Sequence, residues 1–265
     1  MKQSRFGAWL AMAIGCLYFL VPLIGTIEFS LRMRRGEYSF DAYRVVLADP
    51  NFQATFGYSA LIALCTIVLG VLLVVPTAYW IQLRLPRLRP VVEFITLLPL
   101  VIPAIVIVFG YLRLYNSSSF LPLTASARAT DFLLTCSYVT LALPYMYRAV
   151  DTGLRAIDVR TLTEAAQSLG ASWATILLRV IFPNVRIALL SGAFLSFAIV
   201  MGEYTIASLL AQPAFGPYMN LKASSAVYEP SALAILSFGL TWGTVALIQF
   251  LGRGAPGQTQ LGGVR

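Results

Sequence analysis

The sequence predicts an all-α integral membrane protein with about six transmembrane helices. Three observations carry that fold class. Hydrophobic residues make up 58% of the 265-residue chain, charged residues only 11%, and mean hydropathy is +0.79. Soluble domains carry about 25% charged residues, and one water-facing core of this size cannot hide so much apolar surface. The apolar residues also fall in runs of about 20, the length that crosses a hydrocarbon core of ~30 Å.

Taken in order, the first run is Phe6–Phe29. It exceeds the ~7–15-residue apolar stretch of a cleaved signal peptide, and no small-residue cleavage site follows, so a retained helix is expected. The second is Thr55–Ile81, ending at a basic turn that holds Arg84, Arg87 and Arg89. The third, Val91–Leu114, contains Pro99 and Pro103, which predict a kink where neighbouring helices satisfy the freed carbonyls. A polar stretch, Tyr115–Thr130, leads to the fourth, Asp131–Tyr147, with Pro144 near its end. Arg148–Arg186 is the longest segment without a spanning pattern. The fifth and sixth runs are Ile187–Leu210 and Ser231–Leu251. The chain thus reads as one transmembrane domain over 1–265, with its core at about 6–251. Residues 252–265, rich in Gly and Gln, are expected to be a disordered tail.

Six spans put both termini on one side. With that side in the cytoplasm, the inside segments hold twelve Lys and Arg and the outside segments seven. The positive-inside rule favours this orientation, although Arg32, Arg34 and Arg35 fall outside. The net charge of +8 is spread in short clusters between apolar runs, as expected of membrane-flanking residues. A nucleic-acid partner would need one basic solvated face, so none is expected.

Several chemistries are excluded. There is no histidine, which removes Ser-His-Asp and Cys-His catalysis and HExxH zinc chemistry. Cys16, Cys65 and Cys136 lie in apolar runs, odd in number and without CxxC spacing, and read as small hydrophobes. A P-loop needs a Lys between Gly and Ser or Thr. The only lysines, Lys2 and Lys222, precede Gln3 and Ala223. Neither a cofactor nor a metal is expected in this chain. Leu190-Ser191-Gly192-Ala193 lies inside the fifth run and reads as small residues spaced for helix packing, as in Gly192-x3-Ser196.

The segment Thr161–Pro183, TLTEAAQSLGASWATILLRVIFP, has its own logic. Thr161-Leu162-Thr163-Glu164 has the form of a capping box, so a short helix is expected to start there. Its apolar or small face would be Leu162, Ala165, Ala166 and Leu169, at i, i+3, i+4 and i+7. Gly170 suits the left-handed end of that helix. Ser172 caps a second helix, and Pro183 is expected to turn the chain into the fifth span. From the residues alone, an amphipathic lipid anchor and a protein-docking element stand side by side.

Glu164-Ala165-Ala166-x3-Gly170-x9-Val180-Ile181-Phe182-Pro183 resembles the EAA loop of permease subunits in binding-protein-dependent ABC importers, the type I importer fold. The family pattern is EAA, three residues, Gly, nine residues, then I-x-L-P. This chain keeps the spacing and departs at Val180 and Phe182, both apolar swaps. The resemblance implies a cytoplasmic coupling-helix loop, about 148–186, between spans four and five. Glu164, Ala165, Ala166 and Gly170 would then dock a separate ATP-binding cassette ATPase. It further implies a second permease subunit, an extracytoplasmic solute-binding protein, and a place in the bacterial inner membrane with both termini cytoplasmic. On these terms the chain is a non-catalytic transport subunit.

Glu203 is the other singular residue, a carboxylate in the fifth apolar run. Charged groups at that depth are functional candidates by default. About 17 residues beyond Arg186, at 1.5 Å each, it would sit ~25 Å up, toward the outer mouth. Lining a translocation pathway and capping a helix break near Gly202 are both open for it. The stretch Gly202–Ser208 and the opening Tyr18–Leu23 are similar to permeases of the spermidine/putrescine-type subgroup, which also serves ferric ion, thiamine, sulfate and phosphonate compounds. An acidic residue near the mouth suits a cation such as a polyamine. The alternative function is a self-sufficient ion-coupled secondary transporter working through Glu203. The coupling-type loop and the lack of repeats between halves speak against it. A membrane enzyme has only scattered carboxylates in its favour.

Overall fold

The computed structural model describes residues 5–34 and 36–252. Every regular element among them is helical, with one isolated bridge between Arg34 and Glu37. The helices are α1 (Arg5–Ser30), α2 (Asp41–Ala48), α3 (Pro50–Leu83), α4 (Arg89–Val101), α5 (Ala104–Leu114), α6 (Ala127–Arg155), α7 (Val159–Ser168), α8 (Trp173–Thr175), α9 (Phe182–Gly202), α10 (Thr205–Leu209), α11 (Phe215–Ser225) and α12 (Glu229–Gly252). Beyond Gly252, the expected disordered tail lies outside the described residues, as do Lys2, Arg35, Arg253 and Arg265.

All six apolar runs coincide with helical elements. Gly7–Ser30, Pro50–Leu83 and Trp173–Gly202 are each long and apolar enough to cross a membrane, and a bent pair makes up to four. That pair is the expected third span, which is not one rod. Pro86–Val101 and Ala104–Leu114 meet at 97°. Proline disfavours helical backbone at the residue before it; Ile102, ahead of Pro103, is extended at ψ 118°. Pro99, by contrast, stays inside α4. The fourth run extends at both ends into α6, 29 residues that pass Pro144 without ending. The Ser126 side chain caps α6 by accepting from the Ala129 amide at 3.4 Å.

The chain forms two compact units. The described residues of one are 5–34, 36–54 and 218–242. In it Ser30 and Tyr43 share a hydrogen bond of 2.7 Å and the Phe29 and Tyr228 rings lie 5.1 Å apart. Arg32 pairs with Glu28 and Arg34 with Asp41, so these two basic residues are neutralised locally. Asp49 follows α2 and is held by Lys222 at 2.8 Å and the Tyr218 hydroxyl at 2.8 Å. Lys222 first, then Tyr218 and the Asn51 amide, bring its carboxyl down to about 2.

The other unit, whose described residues are 55–217 and 243–252, holds the segments singled out above. Its main axis is the packing of α6 on α9. Small residues allow it. A Cβ on Gly153 would come within 2.5 Å of the Ala188 Cβ, and one on Gly192 within 2.9 Å of the Met146 Sδ. A first core joins Met146, Val150 and Leu154 of α6 to Val185 and Leu189 of α9, and to Val74, Ala78 and Tyr79 of α3. A second joins Leu134 and Tyr138 of α6 to Ile62 of α3, Val200 of α9 and Ile206 of α10.

Candidate functional site: the α7 loop and the α9–α10 break

Helix α7 begins two residues before the expected capping box. Asp158 is its cap: its carboxylate accepts from the Thr161 amide at 3.1 Å and the Thr161 hydroxyl at 2.7 Å. These bonds hold the Asp158 carboxyl below the usual range. Thr161 therefore donates to a cap instead of serving as one. Glu164, free of the box, pairs with Arg160 at 2.8 Å on an exposed surface.

The buried face also differs in part from the expected one, with Leu162 and Ala166 partly buried as expected. Val159 and Thr163 are buried, and Ala166 packs against the first core. Ala165 is exposed and Leu169 is 89% exposed. One polar bond fixes this register. The Thr163 hydroxyl donates to the Val159 carbonyl at 2.7 Å, so the bond of 2.9 Å to Tyr79 of α3 is donated by the tyrosine. Both residues are 1% exposed. A buried hydrogen bond between side chains specifies one arrangement, because either partner alone would be left unsatisfied.

Gly170 ends the helix as expected, at φ +80°. Its amide bonds the Gln167 carbonyl at 2.9 Å and the Ala171 amide reaches back to Ala166 at 3.0 Å. Ser172 caps the next turn, accepting from the Thr175 amide at 3.3 Å. Trp173 then stacks on Trp80 of α3, with centroids 4.8 Å apart, and lies 6.0 Å from the Arg84 guanidinium. Tyr79 and Trp80 of α3, and Arg84 just beyond its end, thus touch the α6–α9 connection, while Gln82 of α3 donates to the Leu154 carbonyl near the end of α6 at 3.2 Å. Periodicity could not find them, since their partners lie some 70 to 90 residues away.

Pro183 does not turn the chain. The helix runs on from Trp173 to Gly202, 30 residues, through a π-helical stretch at Ile176–Ile181. Proline lacks an amide proton and its ring crowds the preceding turn; one widened turn ahead of it lets the helix continue. At 1.5 Å per residue this helix is about 45 Å long, against a hydrocarbon core of ~30 Å, so its first turns can stand outside the bilayer.

Glu203 sits at the end of α9, where the backbone turns extended at ψ 126°. One carboxylate oxygen accepts from the Ile206 amide at 2.8 Å. The other accepts from the Ala207 amide at 3.1 Å and the Tyr138 hydroxyl at 3.0 Å. The Glu203 carbonyl is covered by Gly216, where any Cβ would collide with it. The carboxylate thus caps the break between α9 and α10 and ties it to α6. Replacing a cap typically costs about 0.5–2 kcal/mol. Glu203→Ala is therefore expected to lower the thermal stability of the purified chain. Glu203→Gln, which keeps one acceptor oxygen, should lower it less. Transport loss in Glu203→Gln at unchanged stability would contradict a capping role.

Residues 74–229, which span α7, Gly170 and the α9–α10 break, match the model of the binding-protein-dependent transport system inner membrane component. The chain belongs to this family. It is a membrane permease subunit of a binding-protein-dependent ABC importer. The permease is 28% identical over 244 residues to the probable molybdenum ABC transporter permease protein of Haloferax volcanii, covering 89% of this chain and 86% of that one. It is 34% identical over 122 residues to the spermidine/putrescine transport system permease protein PotC of Escherichia coli, covering 44% of this chain and 46% of PotC. Its fold is that of a chain in the crystal structure of a bacterial ABC transporter that imports the acidic polysaccharide alginate. The TM-score there is 0.71 at 16% identity, covering 96% of both chains. A chain in the crystal structure of a bacterial alginate ABC transporter in complex with an alginate pentasaccharide-bound periplasmic protein gives a TM-score of 0.70 at 17% identity, covering 94% of this chain and 93% of that one.

Proposed function

We propose that this permease forms half of a translocation pathway and that α7 is where a separate ATP-hydrolysing subunit docks. One observation carries the reading. The inner face of α7 is locked to α3 by the buried Tyr79–Thr163 bond, while Ala165 and the 89% exposed Leu169 face outward beside the rigid turn at Gly170. A helix fixed on one side and bare on the other passes a push from its outer face into the membrane helices. Glu164, Ala165, Ala166 and Gly170 make up the docking element. Of these, Ala166 packs inward and sets the depth of the helix.

The remaining parts extend this proposal along the lines of the family. A second permease, identical or homologous, completes the pathway, two ATPase subunits drive it, and an extracytoplasmic binding protein delivers the solute. The permease lies in the inner membrane, with α7 and both termini in the cytoplasm. The substrate is a small polar solute. The polyamine expectation rested on the subgroup resemblance at Tyr18–Leu23 and Gly202–Ser208 and on Glu203, whose carboxylate is engaged by two amides and a hydroxyl. Relatives matched along most of their length are named for molybdenum and for sulfate, and the polyamine relative matches over less than half. An oxyanion is therefore favoured over a polyamine. Co-expression with an ATPase and a binding protein encoded nearby tests the function. The permease is expected to co-purify with the ATPase and to support ATP-dependent uptake in vesicles. Uptake by the lone chain, driven by an ion gradient, would contradict it.

A further inference from the structure

Away from α7, two adjoining cavities open between α4, α6 and α9. One, of about 510 Å³, has Glu93, Arg148, Asp151 and Arg155 in its lining and lies at the end of α6 that leads to α7. The other, of about 350 Å³, is bordered by Leu100, Ala188 and Leu195. They share Leu97, Pro144, Arg148 and Thr152 and so form one groove, polar at one end and apolar at the other.

Charge bookkeeping at the polar end is informative. Arg89 bonds Glu93 at 2.9 Å and Asp151 at 2.7 Å, while Arg155 bonds Asp151 at 2.9 Å and Glu93 at 3.3 Å. Two cations and two carboxylates close a neutral square. Arg148, at the junction of the cavities, makes no ion pair among the described residues. The groove therefore carries one uncompensated positive charge. Tyr147, 4% exposed, is part of the same wall, and its hydroxyl is buried without a hydrogen-bond partner. From the junction to the other end, Leu97, Leu100 and Leu195 are 43%, 55% and 41% exposed.

We propose that this groove binds an anionic phospholipid, its phosphate on Arg148 and an acyl chain along Leu97, Leu100 and Leu195. A guanidinium is the side chain best suited to a phosphate, through charge-assisted hydrogen bonds, and the leucines offer what an acyl chain needs. The neutral square beside Arg148 adds no repulsion. A free oxyanion would use the same arginine but would leave the apolar end bare. The apolar half is what assigns the site to a lipid.

The test is lipid retention by the full-length permease in mild detergent, measured by native mass spectrometry after exposure to phosphatidylglycerol or phosphatidylcholine. Phosphatidylglycerol should be retained in preference. Arg148→Gln should lower that retention about tenfold, the worth of one charge-assisted hydrogen bond, and Arg148→Lys should restore part of it. Ser191→Phe, which fills the apolar cavity, should lower retention with the arginine untouched. Equal retention of the two lipids, or no effect of either Arg148→Gln or Ser191→Phe, would overturn the proposal. So would displacement of phosphatidylglycerol by millimolar inorganic phosphate in wild type and Ser191→Phe alike, which would make the site one for a free oxyanion.

Discussion

Gly170→Val should abolish coupled transport while the permease still inserts in the membrane. Gly170 holds φ +80° with nothing within 4 Å of where a Cβ would stand, so the penalty is backbone strain and not a clash. Left-handed backbone costs an L-residue roughly 1–2 kcal/mol, more for a β-branched one. That is enough to undo the two bonds that close α7, from Gly170 to Gln167 and from Ala171 to Ala166. The exposed end carrying Ala165 and Leu169 would lose its fixed aim, while the cores beneath are untouched. Gly170→Asn, which tolerates this region, should keep most of the activity. ATPase co-purification and uptake, measured beside membrane insertion, check this. Full transport by Gly170→Val would contradict the role given to the turn.

A second large effect is expected from Gly153→Leu. The glycine lies where α6 meets α9, and a Cβ there would approach the Ala188 Cβ to 2.5 Å and the Val185 Cβ to 3.5 Å. Neither neighbour is the end of a flexible side chain, so the helices must separate. Overpacking of this kind costs about 1–3 kcal/mol and occasionally more, and it falls on the contact that organises the larger unit. The variant should be unstable in detergent, with thermal unfolding well below wild type. Gly110→Ala is the control. Nothing lies within 4 Å of Gly110, and alanine in a helix is favoured over glycine by about 0.5–1 kcal/mol. Equal stability of Gly153→Leu and wild type would contradict the close packing of α6 on α9.

These residues also show what one-dimensional pattern reveals. Gly170, Ser172 and the six apolar runs were legible because each is a local signal: a turn, a cap, a length. Pro103 was legible as a kink, but its 97° size was not, since the bend depends on what the two short helices pack against. The start of α7 was misread because Asp158 and Thr161 are both good caps. Which face turns inward was settled by a distant residue, Tyr79, whose hydroxyl bonds a buried Thr163. With that face inward Leu169 is exposed, where periodicity would have buried it. Pro183 reads as a boundary in sequence, but a π-turn absorbed it. Glu203 reads as a lone charge in an apolar run because its partners, the amides of Ile206 and Ala207 and the hydroxyl of Tyr138, become visible only once the chain breaks there.

The central claim is that the outward face of α7 meets an ATPase. Site-specific photo-cross-linking from position 169 tests it most directly. Leu169 is 89% exposed, whereas Leu72, on α3, is exposed at 64% within an apolar span and serves as the comparison. A photoreactive residue at 169 should cross-link to the ATPase subunit in the assembled importer, and one at 72 should not. Cross-linking from 169 to lipid alone, in an assembly that retains ATP-driven uptake, would show that α7 is an interfacial anchor and would contradict the account.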